Sequence, residues 1–97
     1  MIRRIVGNCD PERIILFGSH ATGHAGPDSD VDLLVVTNQG ESRRKVAMEL
    51  YRRLRDVDLP KDIVVIRPED FEQYRDVVGT IIYPAVQEGR IIYERAA

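Results

Sequence analysis

The stretch "FGSHATGHAGPDSDVDLLVV", residues 17–36, carries the pattern on which the fold turns. An apolar run, "RIILF" (Arg13 to Phe17), leads into Gly18-Ser19. Its isoleucines suit a buried strand, and Gly18 stops it. Small and polar residues follow from Ser19 to Ser29, with Gly23, Gly26 and Pro27 among them. This composition predicts a turn or a single helical turn and then a loop. "VDLLVV" (Val31 to Val36) is a second buried strand. Asp30 and Asp32 stand at its head. Side chains alternate faces along a strand, so residues i and i+2 point the same way, and the two aspartates share a face.

Outward from this pair the chain alternates helices and strands. Ile2, Ile5 and Val6 predict a short first helix that Asp10-Pro11 ends. "ESRRKVAMELYRRLRDV" (41–57) is the clearest helix, with Val46, Leu50, Leu54 and Val57 on one stripe. Its arginines and Lys45 read as a solvated face, and Leu59-Pro60 closes it. "DIVVIR" (62–67) is a third strand. Pro68-Glu-Asp-Phe71 opens a helix, with proline near its first position and acids in its first turn. A break at Gly79 leads to a further helix, with Thr80 as its cap, Pro84 near its first turn and Gly89 as its C-terminal stop. "IIYE" (91–94) is a short last strand.

At 97 residues, the chain makes one domain, 1–97. Its 43% hydrophobic and 31% charged residues are ordinary for a soluble globular protein. A net charge of -2 argues against direct nucleic-acid binding by charge alone. The apolar runs are too short to cross a bilayer, and the first ten residues lack the apolar core of a signal peptide. Cys9 is the single cysteine, so no internal disulfide forms and the expected location is cytoplasmic. It reads as a packing residue. His20 and His24 lie four apart in a loop broken by glycine and read as solvent-exposed loop residues rather than zinc ligands.

Asp62 heads the third strand. If that strand neighbours the second, three carboxylates meet at one edge of the sheet. Two unit charges about 4 Å apart repel by ~4 kcal/mol at an effective dielectric near 20. A bound divalent cation removes that penalty, and oxygen-only ligands favour Mg²⁺ or Mn²⁺. Gly18 allows the backbone to approach a ligand closely, while the N–H groups after a strand that opens a helical turn form an anion-binding nest. Phosphate beside metal is the apparatus of phosphoryl or nucleotidyl transfer.

Gly18-Ser19, Gly23 and Ser29-Asp30-x-Asp32-Leu33 together resemble the motif of the DNA polymerase β-like nucleotidyltransferase superfamily, and the short chain resembles its minimal nucleotidyltransferases (MNT). Asp62 with "IVVI" resembles the strand of the third carboxylate, and the stretch from Pro68 to Glu94 is similar to the tail of those small proteins. The resemblance implies an α+β nucleotidyltransferase fold, a small mixed β-sheet flanked by helices. It implies that Gly18, Ser19 and Ser29 bind the nucleotide, with ATP as substrate. Asp30, Asp32 and Asp62 would be the catalytic, metal-binding acids, Asp62 also helping to activate the acceptor hydroxyl. Its implied partner is a HEPN-domain ribonuclease toxin, which the chain would neutralise as antitoxin by transferring AMP to a tyrosine. The family often reads Gly-Ser-x-Ala-Arg-Gly. Here Thr22 stands in place of the arginine, so that a cation near the phosphates must come from His20, His24 or a partner.

Two other functions compete with this expectation. One is a nucleotidyltransferase acting on a small molecule or RNA. The other is a non-catalytic antitoxin that covers its toxin.

Overall fold

The computed structural model describes residues 1–26, 29–40 and 42–96. Pro27 and Asp28 of the expected loop, and Glu41 at the head of the expected long helix, lie outside the described residues. The elements run α1 (Ile2–Cys9), β1 (Arg13–Phe17), α2 (Ser19–Thr22), β2 (Val31–Val36), α3 (Arg43–Arg53), β3 (Lys61–Ile66), α4 (Pro68–Tyr74), α5 (Ile82–Glu88) and β4 (Arg90–Glu94). The four strands form one sheet in the order β3-β2-β1-β4. β1 pairs antiparallel with both β2 and β4, whereas β2 and β3 are parallel. Parallel neighbours need a crossover, and α3 supplies it. The fold is the expected α+β arrangement of a mixed sheet between helices.

Strand alternation divides the core between the two faces. On one face Ile14, Val31, Leu33, Val35, Ile63 and Val65 pack with Ile5 and Cys9 of α1 and with Val46, Leu50 and Leu54. Each such side chain stabilises the fold by about 1.5–3 kcal/mol when fully buried. On the other face Ile15, Phe17, Leu34, Val36 and Ile66 meet Phe71 of α4 and Ile82 and Ala85 of α5. Cys9 is buried, its thiol 3.5 Å from the Ile5 carbonyl. Burial pushes that thiol above its ordinary pKa, in keeping with a packing role. The buried Thr37 hydroxyl donates to the Cys9 carbonyl at 2.6 Å and accepts from the Gln39 N–H at 3.1 Å.

Several boundaries differ from the sequence expectation for identifiable reasons. α3 stops at Arg53, before Val57. Leu54 leaves helical geometry at φ -104°, ψ 13°, and a tight turn follows, in which the Val57 N–H donates to the Leu54 carbonyl at 3.0 Å. Pro60 keeps Leu59 from continuing a helix. The helix opens on Ser42, whose hydroxyl accepts from the Lys45 N–H at 3.1 Å. β3 begins one residue early, at Lys61, and Arg67 is the cap of α4 rather than the end of the strand. The N-cap of α5 is Ile81 rather than the expected Thr80, which stands one residue earlier with its hydroxyl accepting from the Tyr83 N–H at 3.3 Å. Gly89 does stop α5, but not through a left-handed cap, since its φ is -77° and its ψ 167°. Space is what requires glycine there. A Cβ would lie 2.6 Å from Ile15 Cγ2 and would overlap the Ala85 carbonyl oxygen.

Among the described residues, no helix is long and apolar enough to cross a membrane.

Candidate functional site

Parallel pairing of β2 with β3 makes Asp32 and Asp62 register partners. Adjacent strands lie about 4.8 Å apart, so the two acids stand side by side. Both belong to the face that carries Leu34, Val36 and Ile66 further along the strands. Asp32 is half-buried and Asp62 exposed. Asp30 lies exposed just before β2, and its charge is felt at Asp32. Burial, first, and then the facing carboxylates of Asp62 and Asp30 hold the Asp32 carboxyl above its ordinary pKa, while His20 acts in the opposite sense.

The end of β1 completes this corner of the sheet. Phe17 pairs with Asp32, which brings Gly18 against the aspartate. Gly18 adopts φ 73°, ψ -155°, a region almost reserved for glycine. A Cβ at this position would overlap Asp32 Oδ2. Two independent constraints, backbone and contact, thus demand glycine. Ser19 opens α2, whose first N–H groups have no partner within the helix. The Ala21 and Thr22 N–H groups both reach back to the Gly18 carbonyl, at 3.1 and 3.2 Å.

The remaining candidates are arranged less simply. The Ser29 hydroxyl accepts from the Gly26 N–H at 2.8 Å, closing its own loop. The Thr22 hydroxyl turns back onto the Gly18 and Ser19 carbonyls at 3.3 and 3.4 Å. His24 is exposed and lies 3.0 Å from that hydroxyl through Nδ1. His20 departs from the expectation of a solvent-exposed loop residue. It sits half-buried on α2, with Nε2 3.1 Å from the Ser29 carbonyl oxygen, so that it ties the two ends of the loop together. The helical turn places it there, turned toward Ser29.

Sequence reading missed Tyr51. Its hydroxyl donates to Asp62 Oδ1 at 3.3 Å and accepts from the Ile63 N–H at 2.8 Å. Within the sequence Tyr51 is one residue of a charged helix off the apolar stripe, and nothing in its spacing connects it to Asp62.

Among the described residues, no three His, Cys, Asp or Glu side chains are gathered closely enough to hold a metal ion between them. The acids instead offer the Asp32–Asp62 pair with Asp30 alongside. That oxygen-only set suits a cation such as Mg²⁺, which takes one or two carboxylates and fills its shell with substrate phosphate and water. Burial is the first cause of the raised Asp32 pKa, and the charges of Asp62 and Asp30 that add to it are what such a cation would offset.

Gly18 thus packs against one of two paired acids on a mixed sheet. The chain belongs to the polymerase β nucleotidyltransferases, whose family model matches residues 2–97. Direct comparison with curated protein sequences finds no match. Comparison by shape finds several likenesses. One is to a toxin–antitoxin structure crystallised with AMP-PNP, at a TM-score of 0.64 and 20% identity, covering 97% of this chain and 70% of that one. Another is to a Sulfolobus solfataricus protein named for the nucleotidyltransferases, at a TM-score of 0.62 and 20% identity, covering 97% and 74%. A third is to the structure of a tri-AMPylated Shewanella oneidensis HEPN toxin in complex with MNT antitoxin, at a TM-score of 0.54 and 19% identity, covering 97% and 66%. At these identities the likeness is one of fold.

Proposed function

We propose that this chain transfers AMP from ATP to a hydroxyl on a protein, the tyrosine of a HEPN-type ribonuclease toxin, and so serves as its antitoxin. The observation that carries this reading is the contact of Gly18 with Asp32, itself in register with Asp62. A turn suited to phosphate thereby adjoins a carboxylate pair suited to a divalent cation. The AMPylated toxin found with an MNT antitoxin among the fold's likenesses supports the choice of acceptor and partner.

Gly18 and Ser19 bind the triphosphate through backbone N–H groups and the Ser19 hydroxyl. Ser29, whose hydroxyl accepts from the Gly26 N–H, joins them in binding the nucleotide. Asp32 and Asp62, with Asp30 alongside, would hold Mg²⁺ or Mn²⁺, the rest of its shell coming from phosphate and water. When bound, the metal neutralises charge on the phosphates and on the departing pyrophosphate. Asp62, the most exposed partner of the pair, receives the proton of the acceptor hydroxyl, which attacks the α-phosphorus in line. With Thr22 in the arginine's place, a cation beside the phosphates would come from a histidine of the turn or from the partner. The open setting of Asp62 suits an acceptor carried in by another protein, in the cytoplasm and without need of nucleic acid.

The test is incubation with ATP, Mg²⁺ and the HEPN partner, followed by intact-mass spectrometry. An AMP adduct on the partner is expected, and it should vanish with the Asp30→Asn, Asp32→Asn double variant. A toxin silenced with no adduct points to the second reading, an antitoxin that works by covering its target. That reading draws on Thr22, whose hydroxyl is turned onto the backbone and brings no charge to the phosphate turn.

A further inference from the structure

Tyr51 belongs to α3, which covers the sheet face opposite Asp62, yet its hydroxyl meets Asp62 at the open edge of β3. A phenol carries one proton and accepts through its lone pairs. The Ile63 N–H can only donate, so Tyr51 accepts from it at 2.8 Å. The phenolic proton is then left for Asp62 Oδ1, 3.3 Å away. The hydroxyl is therefore fixed to the backbone of the same strand, one residue beyond the acid that it contacts. This link also covers an N–H of an edge strand that would otherwise face solvent.

We propose that Tyr51 is a positioning residue for Asp62, holding Oδ1 so that Oδ2 is the oxygen presented to a divalent cation shared with Asp32. The inference rests on the reading of Asp32 and Asp62 as a cation site. Partners that orient a ligand from outside commonly change metal affinity by 10–100-fold when removed. Tyr51 reaches the cation only through Asp62, so its influence must disappear once Asp62 can no longer bind.

The test is Mn²⁺ binding to the full chain, followed through the electron paramagnetic resonance signal of the free ion. Wild type, Tyr51→Phe, Asp62→Asn, their double variant and Asp32→Asn are compared. Tyr51→Phe should weaken Mn²⁺ binding about tenfold. In the Asp62→Asn background it should have no further effect, which is the coupling expected of two groups acting as one. The metal-free melting temperature of Tyr51→Phe is measured beside the binding, since the variant also gives up the bond from the Ile63 N–H. Wild-type affinity in Tyr51→Phe, beside weakened binding in Asp32→Asn, overturns the role of Tyr51 alone. Binding indifferent to Asp32→Asn overturns the cation site and the role of Tyr51 together. A reading independent of any variant uses carbon resonances of the wild-type chain. Mg²⁺ should shift the Asp62 carboxyl and the Tyr51 Cζ with one common apparent affinity. A shift of Asp62 that leaves Tyr51 unmoved overturns the proposal.

Discussion

Gly18 and Asp32 fit so closely that glycine is the one residue the contact allows, since a Cβ at position 18 would overlap Asp32 Oδ2. Gly18→Ala should therefore act twice. Its φ of 73° and ψ of -155° are strained for alanine, at a cost of about 1–3 kcal/mol in stability. The new methyl also displaces the Asp32 carboxylate. Urea denaturation should show the first effect. Loss of nucleotide binding beyond what the stability change explains should show the second. Unchanged affinity in a folded Gly18→Ala chain counts against the turn as a phosphate site.

Much of this corner was legible in the sequence. Gly18, Asp30 and Asp32 fall within one short stretch, and strand alternation gives the shared face of the two acids. The neighbourhood of Asp62 needed one added assumption, that β3 lies beside β2, which the parallel register bears out. Tyr51 was not legible, because its role depends on the angle at which α3 crosses the sheet edge, and no periodicity encodes that angle. His20 was misread for a related reason. A single helical turn was expected after Gly18, and α2 forms it, but the glycines and proline nearby gave no sign that it sets the ring against Ser29. The length of α3 was overread because its apolar stripe continues through Leu54 into a non-helical turn. Burial follows the stripe there, while the backbone does not.

Asp32 should make the metal-free fold less stable as pH rises. Its folded-state pKa lies above the ordinary value of 3.8 because of burial and the charges of Asp62 and Asp30. Its protonated form is therefore favoured by folding. The stability tied to it is fully present below the ordinary carboxylate pKa and is lost as pH climbs through the raised folded value. In EDTA at neutral pH, Asp32→Asn should melt at a higher temperature than wild type, and the gap should narrow on acidification. Calorimetry across that range checks it, and a gap that widens in acid would falsify the assignment.

Thr22→Arg should tighten binding of a nonhydrolysable ATP analogue. The Thr22 side chain is exposed on the turn that Gly18 begins, and a guanidinium can pair with phosphate oxygens in a bidentate way. An exposed ion pair contributes up to about 1 kcal/mol, or roughly fivefold in affinity. Titration calorimetry with Mg²⁺ present measures this. An unaltered affinity means that His20 or another group already provides the charge.

Gly89→Ala tests packing rather than chemistry. The backbone at φ -77° tolerates alanine, so any loss comes from the methyl pressed toward Ile15 Cγ2 and the Ala85 carbonyl. Overpacking of this kind typically costs 1–3 kcal/mol. Chemical denaturation should show that loss, with nucleotide affinity retained in the folded fraction. A neutral substitution would mean that α5 and β1 separate easily.

The register of the sheet also sets an order of assembly. Phe17 meets Asp32 across 15 residues of chain, whereas Asp32 meets Asp62 across 30, with the whole of α3 between them. Contacts between distant parts of a chain form more slowly than local ones, because more loop must be closed first. By that argument the hairpin of β1 and β2 should bring Gly18 to Asp32 early in folding, and Asp62 should join when α3 has crossed the sheet. A chain caught between those stages has the glycine turn and one strand acid but not the second. The pairing of Asp32 with Asp62 is in this sense a late event of folding, gained with the docking of the parallel strand.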